Sequence, residues 1–193
     1  MQTSAQAVTI EQFVAGLRTL PETAFSGGSG VLDYLRTTPV DPQSLAAFLT
    51  WDAQHYTRNL VDHTDLYDLI AVCWEIGQQS SIHNHKGQNC WMAVPVGRLM
   101  VQNFRVLEEN LSEQHCSLKS ADQLELNPRT PTAVSPQDPV HCVSNPREFA
   151  ERAVSLHVYS RPFDTCVVYS LDQHTCGEIK LHFNSEYGVP VKD

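Results

Sequence analysis

Three short stretches of this chain carry side chains able to do chemistry together. In Ser81-Ile-His83-Asn-His85 two histidines are separated by one residue. On an extended strand side chains alternate with period two, so both imidazoles face the same way and can reach one metal ion. In Ser155-Leu-His157-Val-Tyr159 a hydroxyl, an imidazole and a phenol alternate with apolar residues. Facing water, they are a solvated surface, which is what alternation alone favours. Facing an enclosed lumen, Ser155 can orient His157, which can hold the Tyr159 hydroxyl. Tyr56 and Arg58 share a strand face by the same parity. Arg58 is either a solvated edge residue or, through its planar guanidinium fork, a two-point clamp for a carboxylate.

Strands must position these groups, and the chain supplies them after a helical start. Thr9-Ile-Glu-Gln12 reads as a capping box, followed by Ile10, Phe13, Val14 and Leu17 at helical spacing, with an end near Pro21. Val31, Tyr34 and Leu35 mark a short second helix, and Asp41-Pro42 opens a third helical segment through Leu45, Phe48 and Leu49. From Tyr56 onward the pattern is of short apolar or alternating runs. The expected strands are 56–61, 69–74, 90–94, 99–106, 140–143, 153–159, 166–171 and 178–183. The fold expected is mostly β, a β-barrel of jelly-roll type with a few N-terminal α-helices packed outside. Residues 1–193 are read as one domain, with a helical segment at 1–50 and a barrel core at 56–183.

Composition narrows the function. Thirteen Lys plus Arg stand against 22 Asp plus Glu, a net charge of −9, with no basic cluster to meet phosphate. No nucleic-acid partner is expected. No run approaches the ~20 apolar residues of a membrane span, and the first residues lack a basic-then-apolar signal pattern. The expectation is a cytoplasmic monomer that does not contact membranes. The six cysteines form no Cys-x-x-Cys pair and lie mostly in apolar runs, as small core residues do.

Spacing around the histidines adds a further level. Five residues separate Gly77 from His83, four separate His85 from Cys90, and six separate Cys90 from Gly97. This resembles the first motif of the cupin superfamily, with Cys90 in place of its glutamate. The segment Pro136 to Asn145 resembles the second cupin motif, with His141 as the third histidine and Asp138 where glycine is usual. Three neutral imidazoles suit a borderline divalent ion, and spacing alone does not choose which. With no carboxylate ligand, such a site suits a substrate that brings its own anion, such as a thiolate.

Taken in order, Tyr56-Thr-Arg58, Cys73-Trp74, Ser80-Ser-Ile-His83-Asn-His85, Cys90, His141, Ser155-Leu-His157-Val-Tyr159-Ser160 and Pro162-Phe-Asp-Thr-Cys166 resemble cysteine dioxygenase, the thiol dioxygenase branch of the cupins. The resemblance spans about Tyr56 to Phe183. It implies one Fe(II) per chain on His83, His85 and His141, with O2 as co-substrate. It also implies L-cysteine bound through thiolate and amine, its carboxylate on Arg58 with Tyr56 nearby, and oxidation to cysteine sulfinate. A thioether crosslink between Cys90 and Tyr159 is implied as well, with His157 and Ser155 behind the phenol. Asn84 replaces a common aspartate and points away from the metal by strand parity.

The chain departs from the family at one loop. Where the family commonly has Ser-Pro-Pro with a cis bond, this chain has Ser160-Arg161-Pro162. A cis bond before a non-proline residue costs about 2.5–4 kcal/mol, so a trans bond is expected. Arg161 is then either an exposed loop residue or a second cation near the substrate. The readings in competition with cysteine are another small thiol such as 3-mercaptopropionate, and a metal-binding cupin without turnover.

Overall fold

The computed structural model describes residues 6–134 and 140–192. Asp138 and the first residues of the second motif lie outside that range.

The helical start is α1 (Ile10–Leu17) and α2 (Gly30–Thr37), followed by a 3-10 segment at Pro42–Phe48. The capping box at Thr9 is formed: Gln12 N–H donates to Thr9 Oγ1 (3.3 Å) and Thr9 N–H donates to Gln12 Oε1 (3.0 Å). Such reciprocal bonds satisfy two of the donors that a helix start leaves free.

The strands are β1 (Thr57–His63), β2 (Asp68–Trp74), β3 (Ile82–His83), β4 (Asn89–Val96), β5 (Leu99–Asn110), β6 (His115–Leu126), β7 (Thr132–Val134), β8 (His141–Ser144), β9 (Ala153–Ser160), β10 (Thr165–Ser170), β11 (Thr175–Lys180), β12 (Ser185–Glu186) and β13 (Val189–Pro190). They form two sheets. One is an open seven-stranded sheet in the order β13-β12-β1-β2-β9-β4-β7, and in the other, β10-β11-β6-β5-β8-β3, the pairings run round a closed circuit. The architecture is therefore a jelly roll built from two sheets, with helices outside.

Both faces of the seven-stranded sheet are covered. Its outer face presents Val61, Leu69, Ala71, Val154, Leu156 and Val158 to Ile10, Phe13, Leu17, Val31, Leu35 and Leu45 of the helical layer. Its inner face presents Leu60, Ile70, Val72, Trp74, Met92 and Tyr159 to Leu99, Val101 and Val143. Burying one such side chain contributes roughly 1.5–3 kcal/mol, so the helices are part of what holds the sheet. A polar tie joins the layers: Arg18 Nε donates to Asp62 Oδ2 (3.0 Å), and the Tyr67 hydroxyl donates to the same oxygen (2.6 Å).

Sequence and structure differ in the second half. β6 is absent from the expected set because most of its residues are exposed, so no alternation marks it. Residues 175–180, rather than 178–183, form the strand that pairs with β10. All six cysteines are free, five of them buried and Cys142 half-buried.

Candidate metal centre and substrate cavity

His83 ends β3, and His141 starts β8 directly opposite it in register. His85 lies two residues past His83, beyond the end of the strand. Strand parity thus accounts for His83 but not for His85, which reaches the same point after the chain has left the ladder. The three ring centroids are 4.8, 4.9 and 5.3 Å apart, and ligand atoms of all three rings lie within 4.8 Å of one another.

The surroundings hold these rings neutral. Burial lowers the pKa of His83, and burial followed by neighbouring imidazoles lowers those of His85 and His141 much further. A neutral imidazole offers a lone pair. His83 Nδ1 lies 2.9 Å from the Ser81 carbonyl, which can only accept, so the proton sits on Nδ1 and Nε2 is left free. Among the described residues, both nitrogens of His85 and Nδ1 of His141 are buried with no hydrogen-bond partner. Each such unsatisfied atom costs about 1–3 kcal/mol. A divalent cation at their meeting point satisfies lone pairs that no described residue meets, so these residues fit a metal ion.

The opposite wall is a hydrogen-bond chain on the seven-stranded sheet. Trp74 Nε1–H donates to Ser155 Oγ (2.9 Å), Ser155 Oγ lies 2.8 Å from His157 Nε2, and His157 Nδ1 lies 3.1 Å from the Tyr159 hydroxyl. Its direction follows from the donors available. An indole can only donate, so Ser155 accepts from Trp74, and because His157 Nε2 is the one acceptor within reach of its own proton among the described residues, the serine donates to Nε2. Burial pushes the His157 pKa down to about 3, so the ring is neutral and its single proton is on Nδ1, donated to the Tyr159 oxygen. The Tyr159 O–H is left to donate into the cavity. Burial, and then Cys90, raises the Tyr159 pKa well above its usual value, so the phenol keeps that proton.

Ser155, His157 and Tyr159 are all buried, which overturns the solvated-surface reading of their alternation. The apolar residues between them face outward, under the helices, and the polar ones face the lumen. Cys90 pairs with Tyr159 in register between β4 and β9, and its thiol is fully buried.

The cavity between the walls, about 60 Å³, is lined by Tyr56, Arg58, His83, His85, His157 and Tyr159, with Phe163 and Cys166 among the remaining residues. Among the described residues, Arg58 is the one formally charged side chain in the lining. Its Nη1 donates to the His182 carbonyl (3.3 Å) and its guanidinium lies 5.3 Å from the Phe183 ring centroid. Tyr56 stacks on Trp74 with centroids 4.7 Å apart.

Arg161 is not brought to this cavity. Its guanidinium donates to Glu22 (2.7 Å), with both side chains more than half exposed, and its N–H donates to Gln88 Oε1 (2.7 Å). The Ser160–Arg161 peptide is cis, correcting the trans expectation. Surroundings remote in sequence engage both the main chain and the side chain of Arg161, and the local preference for trans takes no account of them.

Trp74 and Asn145 carry roles that spacing did not reveal. Asn145 Nδ2 donates to the carbonyls of Trp74 (3.2 Å) and Glu151 (2.9 Å), tying the end of β8 to the end of β2. Gly77 and Gly97, the motif glycines, have φ of 88° and 71°, a region that favours glycine. A Cβ at Gly97 would also meet the Arg152 carbonyl at 2.5 Å.

Fold and site together define a jelly-roll protein with a three-histidine group able to hold a metal. The family model of cysteine dioxygenase type I matches residues 1–172, and the chain belongs to that family, among the thiol dioxygenases. It is 32% identical to cysteine dioxygenase type 1 of Homo sapiens over 152 residues, 77% of this chain and 72% of the human one. Against the Danio rerio protein of the same name it is 28% identical over 181 residues, 93% of this chain and 88% of that one. Among solved structures, a Thermus thermophilus protein, TT1209, aligns with a TM-score of 0.43 at 20% identity, over 61% of this chain and 93% of its own. A cupin superfamily protein from Desulfitobacterium hafniense aligns with a TM-score of 0.44 at 11% identity, over 61% and 88%.

Proposed function

We propose that this protein oxidises the thiol of L-cysteine to the sulfinate, using Fe(II) held by His83, His85 and His141. The observation that carries the substrate assignment is Arg58: a lone guanidinium, with no carboxylate in the lining among the described residues, facing the three-histidine group across a small cavity. Such a site favours a small anion whose carboxylate meets the guanidinium fork. The thiolate supplies the negative charge that three neutral imidazoles lack.

His83, His85 and His141 would hold the iron, which would supply the redox chemistry that makes dioxygen reactive toward a thiolate sulfur. Both oxygen atoms end on the sulfur, whose four-electron oxidation matches the four-electron reduction of O2, so no external reductant is needed. The protein's own part is positioning. Arg58 fixes the carboxylate, with Tyr56 beside it. Tyr159, aimed by His157, Ser155 and Trp74, presents an O–H donor toward substrate and oxygen. A preset donor avoids reorganisation during reaction. Its register opposite Tyr159 supports Cys90 as the partner in a thioether crosslink, which would form with loss of two hydrogen atoms to oxygen. The enzyme is further proposed to be a single-domain cytoplasmic monomer; no helix among the described residues is long and apolar enough to cross a membrane.

A second substrate, 3-mercaptopropionate, has the same thiolate and carboxylate but no amine. Oxygen uptake by Fe(II)-loaded protein, given either thiol and followed by mass identification of the product, tests the assignment. Sulfinate formed mainly from cysteine is the expected result. Preference for 3-mercaptopropionate moves the assignment to the amine-free thiol, and no uptake with either favours a different thiol or a metal-binding cupin without turnover.

A further inference from the structure

His85 poses a mechanical problem. Among the described residues neither ring nitrogen has a hydrogen-bond partner, and β3 has already ended at His83, so its main chain is held by a turn bond from Gln88 N–H to its carbonyl (2.9 Å) rather than by a ladder. Beyond the other two imidazoles, its ring contacts, Tyr159 at 5.2 Å and Phe163 at 6.0 Å between centroids, are aromatic and carry little directional restraint. Something else must fix where this ring points.

Asn84 stands between the two histidines and turns its side chain away from them, toward β10. Its N–H donates to the Val167 carbonyl (3.1 Å), as in an antiparallel ladder. The reciprocal bond is different: Val167 N–H donates to the side-chain Oδ1 of Asn84 (3.1 Å), where a regular pair would use the main-chain carbonyl. Lys86 N–H donates to the same oxygen (3.3 Å). The side chain thus closes the last ladder position and spans His85 from both sides, while the main chain is free to turn. Lys86, at φ 51°, makes that turn, and its ammonium is held by Glu178 and by Thr165 Oγ1 (3.1 Å).

The amide can sit only one way round. Two N–H donors fix Oδ1, so Nδ2 is the atom that meets the Tyr169 hydroxyl at 3.0 Å, and it must donate. Tyr169 then accepts from Asn84 and gives its proton to Glu109 on β5. Tyr169 is buried.

Given the three-histidine metal site proposed above, we infer that Asn84, braced by Tyr169 and Glu109, is a positioning residue that sets the direction of His85 toward the metal. An aspartate at this position could still accept from Val167 and Lys86. It could not donate to Tyr169, and the phenol's one proton would be contested by two carboxylates. Asn84 and Glu109 are therefore a matched pair.

Co(II) is the probe, because its visible ligand-field spectrum reports the geometry of its ligands. Full-length protein is titrated with Co(II), and thermal stability is measured alongside. Asn84→Ala is expected to weaken Co(II) binding at least about tenfold, the range seen when groups supporting a metal ligand are lost, and to change the spectrum. Asn84→Asp is expected to change the spectrum too, and adding Glu109→Gln to return it toward that of the native protein. Glutamine at 109 can donate to Tyr169 while Tyr169 donates to the aspartate. A merely structural role would move thermal stability without this reciprocal recovery. Should Asn84→Ala fail to fold, Tyr169→Phe, which deletes one oxygen, carries the same comparison with a smaller loss. Native-like affinity and spectrum in these variants overturn the brace alone. Failure of the native protein to bind Co(II) through His141 overturns the metal site and the brace with it.

Discussion

His83, His85 and His141 belong to the six-stranded side of the jelly roll, and Arg58, Trp74, Cys90, Ser155, His157 and Tyr159 to the seven-stranded side. The two walls are stabilised by opposite means. On the first, two of the three imidazoles have buried nitrogens that no described residue satisfies. On the second, each polar side chain from Trp74 to Tyr159 hands a proton to the next. One wall is complete only with a cation; the other is complete by itself and ends in a directed donor. The difference teaches that metal binding and substrate orientation should fail separately.

The largest effect expected is loss of the metal. His141→Ala removes one of three ligands and should lower Fe(II) affinity by at least about a hundredfold, exceeding the 10- to 100-fold cost of disturbing a supporting group. Metal content after dialysis measures it, and retention of a full equivalent would break the division between the walls. Arg58→Ala should act on the other wall only. Iron content should be unchanged while kcat/KM for cysteine falls about ten- to a hundredfold, as for loss of a charge-assisted hydrogen bond of ~1.5–3 kcal/mol. Cysteamine, which has no carboxylate, is the control, and its turnover should not move.

Trp74→Phe keeps the ring stacked on Tyr56 but deletes the indole N–H that sets the direction of the chain. A two- to tenfold fall in kcat, about the worth of one neutral hydrogen bond, is expected with iron content unchanged. An unaltered kcat would mean that Ser155 and His157 keep their polarity without it. Acid should act on both walls of the metal-free protein. His157 titrates at about 3 when folded and near 6.5 when unfolded, so between these values the unfolded chain binds more protons. Stability is then retained above pH 6.5 and lost as pH falls below it, by up to ~1.4 kcal/mol per pH unit for each such histidine. The lowered pKa values of His83, His85 and His141 act in the same direction. Urea midpoints at pH 7.5 and 5.5 check the sign. The smallest effect is reserved for Arg161→Ala, which should change the ratio of cysteine to 3-mercaptopropionate turnover by less than about twofold, because this guanidinium is engaged by Glu22 on the surface.

Much of this protein was legible before any coordinates. The capping box at Thr9, the succession of apolar runs and the spacing around His83, His85 and His141 are local features, and each depends on residues only a few positions apart or on a recurrent motif. The β5–β6 hairpin was only half visible, since the run from Leu99 to Val106 shows a strand whereas β6, mostly exposed, buries no regular face. The sequence left Arg161 open between an exposed loop residue and a second cation, and the trans expectation for its peptide was overturned, because its partners, Glu22 and Gln88, are 139 and 73 residues away in the chain.

The sequence by itself determined that Ser155, His157 and Tyr159 lie on one side of a strand and Val154, Leu156 and Val158 on the other, because side-chain alternation is a property of extended backbone. It could not determine which side was the inside. Tertiary structure decided that, by laying the N-terminal helices over the valines and leucine and closing the second sheet over the hydroxyl, imidazole and phenol. The same holds for the metal ligands. Residue types and spacing named three histidines, but His85 lies past the end of its strand, where parity no longer places it, and its position was settled by hydrogen bonds from Val167 and Lys86 to the side chain of Asn84. Periodicity fixes direction relative to the local backbone, whereas enclosure depends on what packs across from it.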